Sequence, residues 1–109
     1  MSLSPLRLEH LNLPARDPIG LARWYADTFG LQADAHRVCS DHVLIAFEQG
    51  EPHGRAPEVH FGFRVASGAV LGEWAGKFGA QPVTRNGFTA FRVFDPEGNC
   101  LELYCPEGT

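Results

Sequence analysis

Apolar and polar positions alternate strictly over residues 58–65. Val59, Phe61, Phe63 and Val65 fall on one face, His60, Gly62 and Arg64 on the other, the two-residue period of a half-buried strand. Residues 6–13 predict an earlier strand ending at Pro14. The period then lengthens, and Leu21, Trp24, Tyr25 and Phe29 share one helical face. Asp17-Pro18 supplies an N-cap followed by proline at the first helical position, and Gly30 closes the helix. Two extended pieces follow, about 33–39 and 43–48, with Ser40-Asp41 as the turn between them. Residues 49–57, rich in glycine, proline and charge, form a linker. A second helix over about 69–78 turns Leu71, Trp74 and Phe78 inward. Strands at 88–94 and 100–105 then flank the turn-forming run Asp95-Pro96-Glu97-Gly98-Asn99.

The second half repeats the first. His10-Leu11-Asn12-Leu13 returns as His60-Phe61-Gly62-Phe63, and Leu21 and Trp24 return as Leu71 and Trp74. Phe29-Gly30-Leu31-Gln32 matches Phe78-Gly79-Ala80-Gln81 after a slip of one residue. One supersecondary unit is therefore used twice, and the predicted plan is α+β, βαβββ in each module. Module 1 covers about 5–49, the linker 50–57 and module 2 about 58–106. A chain of 109 residues is too short for two independent cores, so the modules are expected to share one, within the chain or with a second chain.

Composition removes some function classes. A net charge of −4 with mixed signs leaves no basic stripe for nucleic acid. No apolar run approaches the ~18 residues of a membrane span, and no leader pattern opens the sequence. Cys39, Cys100 and Cys105 are odd in number and form no C-x-x-C pair, which fits a reducing compartment. The expectation is a soluble cytoplasmic protein.

Strand parity then selects the chemistry. In the last strand Leu101, Leu103 and Cys105 face the helices, so Cys100, Glu102 and Tyr104 face the other way. The same reasoning sends His60 and Arg64, and in the first strand His10 and Asn12, to the open side. A carboxylate there is costly unless paired, protonated or metal-bound. Singly, a strand histidine is a hydrogen-bonded core or surface residue and Glu102 a surface residue. The repeat relates them, and two imidazoles with one carboxylate make a facial set that leaves coordination positions open. Arg64 and Arg92 are candidates for binding an anion through their forked donors; the alternative is that Arg92 pairs with Glu102 or Glu48. Tyr104 serves as an acid or lines the pocket, Asn12 orients a ligand or a bound water, and Cys100 lies beside Glu102 without an identifiable base. His36, His42 and His53 are expected to be solvated, and Trp24 and Trp74 to lie between helix and sheet.

The module plan, a histidine opening each module and Asp95-Pro96-Glu97-Gly98-Asn99-Cys100-Leu101-Glu102 together resemble the vicinal oxygen chelate superfamily. That group contains glyoxalase I, fosfomycin-resistance thiol transferases, extradiol dioxygenases, methylmalonyl-CoA epimerases and bleomycin-binding proteins. The resemblance implies one divalent metal ion (Mn, Fe, Ni, Co or Zn) held by His10, His60 and Glu102 in a half-barrel cup, chelated by neighbouring oxygens of a small-molecule substrate. It further implies a homodimer completed by module swapping, with His10 from one subunit and His60 and Glu102 from the other. Four departures narrow the choice. Ala46 stands where glyoxalase I has a fourth ligand. Arg92 replaces the tyrosine of the dioxygenases and the fosfomycin transferases, and Val83-Thr84-Arg85 lacks the dioxygenase histidine. Asn12 stands where the fosfomycin transferases have threonine. The expected activity is metal-dependent lyase, transferase or isomerase chemistry on a small oxygenated, anionic molecule, with Tyr104 and Arg92 as catalytic candidates. The alternative is a non-catalytic protein that sequesters an antibiotic or aromatic ligand.

Overall fold

A computed structural model describes residues 5–52, 54 and 56–109. The chain divides into two compact units, residues 1–53 and 54–109, with the boundary inside the predicted linker. His53 lies outside the described residues.

The first unit contains β1 (Leu11–Ala15), α1 (Pro18–Phe29), β2 (Gln32–Asp34), β3 (Arg37–Cys39) and β4 (Leu44–Gln49). The second contains β5 (His60–Arg64), α2 (Gly68–Phe78), β6 (Val83–Arg85), β7 (Phe88–Phe94) and β8 (Cys100–Pro106). Each forms an open four-stranded sheet, ordered β1-β4-β3-β2 and β5-β8-β7-β6. The first strand of each unit runs parallel to the last, and all other pairs are antiparallel. The α+β plan of two βαβββ units is therefore observed.

Local chemistry explains the helices. Asp17 Oδ1 accepts from the Gly20 amide at 3.0 Å, and Ser67 Oγ accepts from Val70 N at 3.2 Å, so each helix starts on a side-chain cap. Both end on a left-handed glycine, Gly30 at φ 70° and Gly79 at φ 64°. From α1, Leu21, Ala22 and Tyr25 are buried against Leu13, Val38, Ile45 and Phe47. The Tyr25 ring stacks on Phe47 at 5.3 Å. From α2, Leu71 and Ala75 are buried with Phe91, Leu101, Leu103 and Cys105. Each large apolar side chain removed from water contributes about 1.5–3 kcal/mol, enough to decide which face of each sheet the helix covers. Trp24 and Trp74, expected in this layer, are only half-buried. Trp24 meets the edges of Tyr25 and Phe29, and Trp74 carries Lys77 Nζ 4.9 Å from its ring centroid. Tyr25 takes the central place because its ring, not the indole, reaches Phe47.

Three boundaries differ from the sequence pattern. Residues 6–10 lie outside the sheet, with Leu6 and Leu8 fully exposed, because β4 begins at Leu44 and pairing starts only at Leu11↔Ile45. The strand continues through Pro14, which an edge strand tolerates since its missing N–H breaks no rung on the free side. The piece predicted over 33–39 is two strands joined at Ala35, which adopts φ 53°. The chain reverses there without glycine, at a cost of roughly 1–2 kcal/mol.

The β7–β8 hairpin fixes the register that matters most. Asp95 is 2% exposed; its Oδ1 accepts from the amides of Glu97 and Asn99 at 2.9 and 3.0 Å, and its Oδ2 from Asn99 Nδ2 at 2.9 Å. Gly98 supplies φ 90°. Asp95→Ala leaves those amides without their acceptor, and the expected loss is about 2–4 kcal/mol of unfolding free energy. Urea denaturation followed by circular dichroism measures it; a loss below ~1 kcal/mol, that of an ordinary surface change, contradicts the assignment.

Candidate functional site

In the second unit, Gly62, Glu102 and Arg92 stand side by side on β5, β8 and β7, because Gly62 pairs with Glu102 and Arg92 with Glu102. Leu101, Leu103 and Cys105 are buried toward the helix side, so Glu102 and Tyr104 stand on the opposite face with His60 and Arg64. The parity reading is observed for this unit.

Four groups close a ring there. His60 Nδ1 lies 2.9 Å from the carbonyl of Pro57. A carbonyl only accepts, so Nδ1 is the donor, and in the neutral ring Nε2 keeps a lone pair. That Nε2 lies 3.8 Å from Glu102 Oε2. Arg92 donates from Nε to the same Oε2 at 3.3 Å and from a terminal nitrogen to the Pro57 carbonyl, also at 3.3 Å. Glu102 is the least exposed of the three side chains at 21%, His60 is 24% exposed and Arg92 47%. Of the two partners weighed for Arg92, the structure gives Glu102.

Tyr104 reaches the face through an absent side chain. A Cβ on Gly62 would lie 3.2 Å from the Tyr104 ring. The ring also meets the edge of Phe88, centroids 6.0 Å apart. Beside the Arg92–Glu102 pair opens a cleft of about 660 Å³, walled by Tyr104, Phe88, Phe91 and Val83. Among the described residues nothing hydrogen-bonds the Arg64 guanidinium, which is exposed.

The first unit carries the same register with different residues. Ala46 lies between Asn12 and Arg37, as Glu102 lies between Gly62 and Arg92. With no carboxylate opposite, Arg37 pairs with Asp34 at 3.1 Å. Ala46 thus holds in the first unit the register position that Glu102 holds in the second. Asn12 donates to Glu48 at 3.4 Å. Both, with His36, line a cleft of about 530 Å³ next to the start of α1. His10, just before β1, holds Glu9 Oε1 through Nδ1 at 3.2 Å and is well exposed. Both opening histidines therefore commit Nδ1 to an oxygen and leave Nε2 available. His36 and His42 are exposed as expected.

This donor chemistry fits a divalent cation. A neutral imidazole with its outer N–H on a carbonyl is the form that ligates metals. Two ligands at ~2.1 Å from one ion stand roughly 3–3.4 Å apart, so the 3.8 Å between Nε2 and Oε2 needs only a small side-chain adjustment. Among the described residues no group of three His, Cys, Asp or Glu side chains gathers within either unit; the second supplies two. Sequence reasoning missed the Pro57 carbonyl, since a backbone oxygen has no side-chain signature. It also missed Gly62 as the space for Tyr104, which only the β5–β8 register makes visible.

The comparisons agree with this fold at the level of family. The family model for the glyoxalase-like domain matches residues 10–104, and the chain belongs to that family, within the superfamily that the sequence resembles. A glyoxalase-family protein from Bacillus anthracis has a similar structure, at 20% identity and TM-score 0.70, over 98% of this chain and 100% of that one. Lactoylglutathione lyase from Agrobacterium tumefaciens is 19% identical with TM-score 0.69, covering 94% and 95%. A glyoxalase/bleomycin resistance protein from Albidiferax ferrireducens T118 is 16% identical with TM-score 0.66, covering 90% and 97%. At these identities the likeness is one of fold. No curated protein matches the sequence. No helix among the described residues is long and apolar enough to cross a membrane.

Cys100, the remaining polar candidate, is 2% exposed. Burial pushes its thiol above the ordinary range; Arg92 pulls it down and Glu102 pushes it up. A raised thiol is protonated at neutral pH and is no nucleophile. Cys39 is only half-buried and Cys105 is buried. Alkylation with iodoacetamide at pH 8, read by peptide mass spectrometry, should therefore label Cys39 first, with labelling of Cys100 accelerating only as pH rises past the usual thiol range. Fast labelling of Cys100 at pH 7 contradicts this.

Proposed function

We propose that the protein is a metal-dependent lyase, transferase or isomerase acting on a small, oxygenated, anionic molecule, with the cation held by His10, His60 and Glu102. The observation that carries this reading is the orientation of His60: Nδ1–H is spent on Pro57 and Nε2 faces the Glu102 carboxylate. Lactoylglutathione lyase from Agrobacterium, a fold relative, bears the name of such an enzyme. The superfamily resemblance adds His10, and module swapping in a homodimer would supply it from a second subunit.

A bound divalent cation would supply Lewis-acid polarisation of substrate oxygens. The chain's own residues do the rest. Pro57 fixes the tautomer and ring plane of His60. The Tyr104 hydroxyl has no hydrogen-bond partner among the described residues and is the group able to give or take a proton beside Glu102. Arg64 and Arg92 offer forked donors to a carboxylate or phosphonate. Phe88 and Phe91 keep one wall of the cleft apolar. Asn12 would orient a ligand by its amide, and Cys100 contributes bulk rather than reactivity.

The Arg92–Glu102 pair favours a second reading, in which the cleft sequesters a small molecule without a metal. A single partly exposed contact of this kind is worth only about 0–1 kcal/mol, far less than a coordinated cation returns, so the metal reading is preferred. Metal analysis separates the two. Protein stripped by a chelator, then incubated with Mn, Fe, Ni, Co or Zn, should retain close to one equivalent. His60→Ala and Glu102→Ala should weaken binding by more than the ~100-fold that losing an outer partner can cost. Retention below ~0.1 equivalent of every metal would overturn the metal reading and favour the sequestering one; all five ions are tried because availability and ligand type together decide which ion a site takes.

A further inference from the structure

Arg92 and His60 make the same two contacts from opposite sides. Each reaches the Pro57 carbonyl, and each faces Glu102 Oε2, at 3.3 and 3.8 Å respectively. One carboxylate oxygen is thus claimed by a guanidinium and lies 3.8 Å from an imidazole nitrogen. A divalent cation taking that oxygen would meet the Arg92 charge a few ångströms away, and like charges at that separation repel strongly in a half-buried site. Arg92 is the most exposed of the three polar side chains at 47%, against 24% for His60 and 21% for Glu102, so it is the group with room to move. The direction open to it is the cleft of about 660 Å³ that Arg92 itself lines.

We propose that Arg92 couples cation and anion binding: without a cation its guanidinium holds Glu102, and a cation on Glu102 releases it toward an anionic group of the ligand in the cleft. The coupling rests on the metal-site reading, with Glu102 and His60 as ligands. The first unit supplies an internal contrast. Arg37 occupies the same register position opposite Ala46, and there the arginine pairs within its own hairpin with Asp34 at 3.1 Å. In each unit the arginine at this position pairs with a carboxylate in reach, and in the second unit that carboxylate is Glu102. The consequence is reciprocal: a metal tightens the anion by the same factor by which the anion tightens the metal.

The test uses calorimetry with Ni²⁺ and benzoate, whose ring suits a wall of Phe88 and Tyr104. In the unaltered protein, Ni²⁺ should tighten benzoate by about fivefold or more, and benzoate should tighten Ni²⁺ by the same factor. Arg92→Gln removes the competitor, so its Ni²⁺ affinity should rise about three- to tenfold, while the coupling factor falls toward that of direct metal–carboxylate attraction alone. Arg92→Lys keeps the charge without the fork and should fall between; it decides the matter if Arg92→Gln melts early. Unchanged Ni²⁺ affinity or an unchanged coupling factor in these variants overturns the proposal while leaving the metal site standing. Failure of the unaltered protein to bind Ni²⁺, or any of Mn, Fe, Co and Zn, overturns both, and that outcome is distinguishable because it appears before any substitution is made.

Discussion

The parallel pairing of β5 with β8 is the constraint on which the site depends. Phe61↔Leu101 and Phe63↔Leu103 interleave with Gly62↔Glu102 and Arg64↔Tyr104. Burial of Leu101 and Leu103 to 0% and 1% holds this register, because a slip of one residue would carry every side chain to the other face. The apolar layer under α2 thus decides where a carboxylate stands. The Asp95 turn completes the frame by placing Arg92 opposite the same residue. Polar chemistry on one face is indexed by hydrophobic burial on the other.

The two units show how a repeated plan can be made to do unequal work. Register positions occupied by Gly62, Arg92, Glu102 and Tyr104 correspond in the first unit to Asn12, Arg37, Ala46 and Glu48. Only the arginine is kept. Exchanging alanine for glutamate supplies a carboxylate, and exchanging asparagine for glycine opens space for an aromatic ring. The carboxylate of Glu48 is engaged by Asn12 instead. One half of the chain therefore carries most of the polar machinery that the geometry describes, while the other is recognisable chiefly by its opening histidine.

Much of this was legible in the sequence, for physical reasons. Helix ends were readable because Asp17-Pro18 and Gly30 are chemically specific signals, and the face of Glu102 because two-residue parity is rigid. The β2–β3 reversal was not, since Ala35 adopts a left-handed conformation that composition does not announce. The strand before Asn86-Gly87 went unnamed although that dipeptide, at φ 54° and 84°, is a strong hairpin signal. The start of β1 was misplaced because alternation over residues 6–10 says nothing about whether β4 extends far enough to pair with it. The Arg92–Glu102 contact was one of two alternatives, and only the β7–β8 register selects it.

Pro57 gives the segment between the units an unexpected status. Surface connections ordinarily absorb insertions and deletions freely, because nothing precise hangs on their backbone. Here the last carbonyl of that connection aims an imidazole and steadies a guanidinium. Length variation is free only up to the residue before it. An added residue next to Pro57 would leave every side chain of the site present and every strand intact, yet would turn the lone pair of His60 away from its partner.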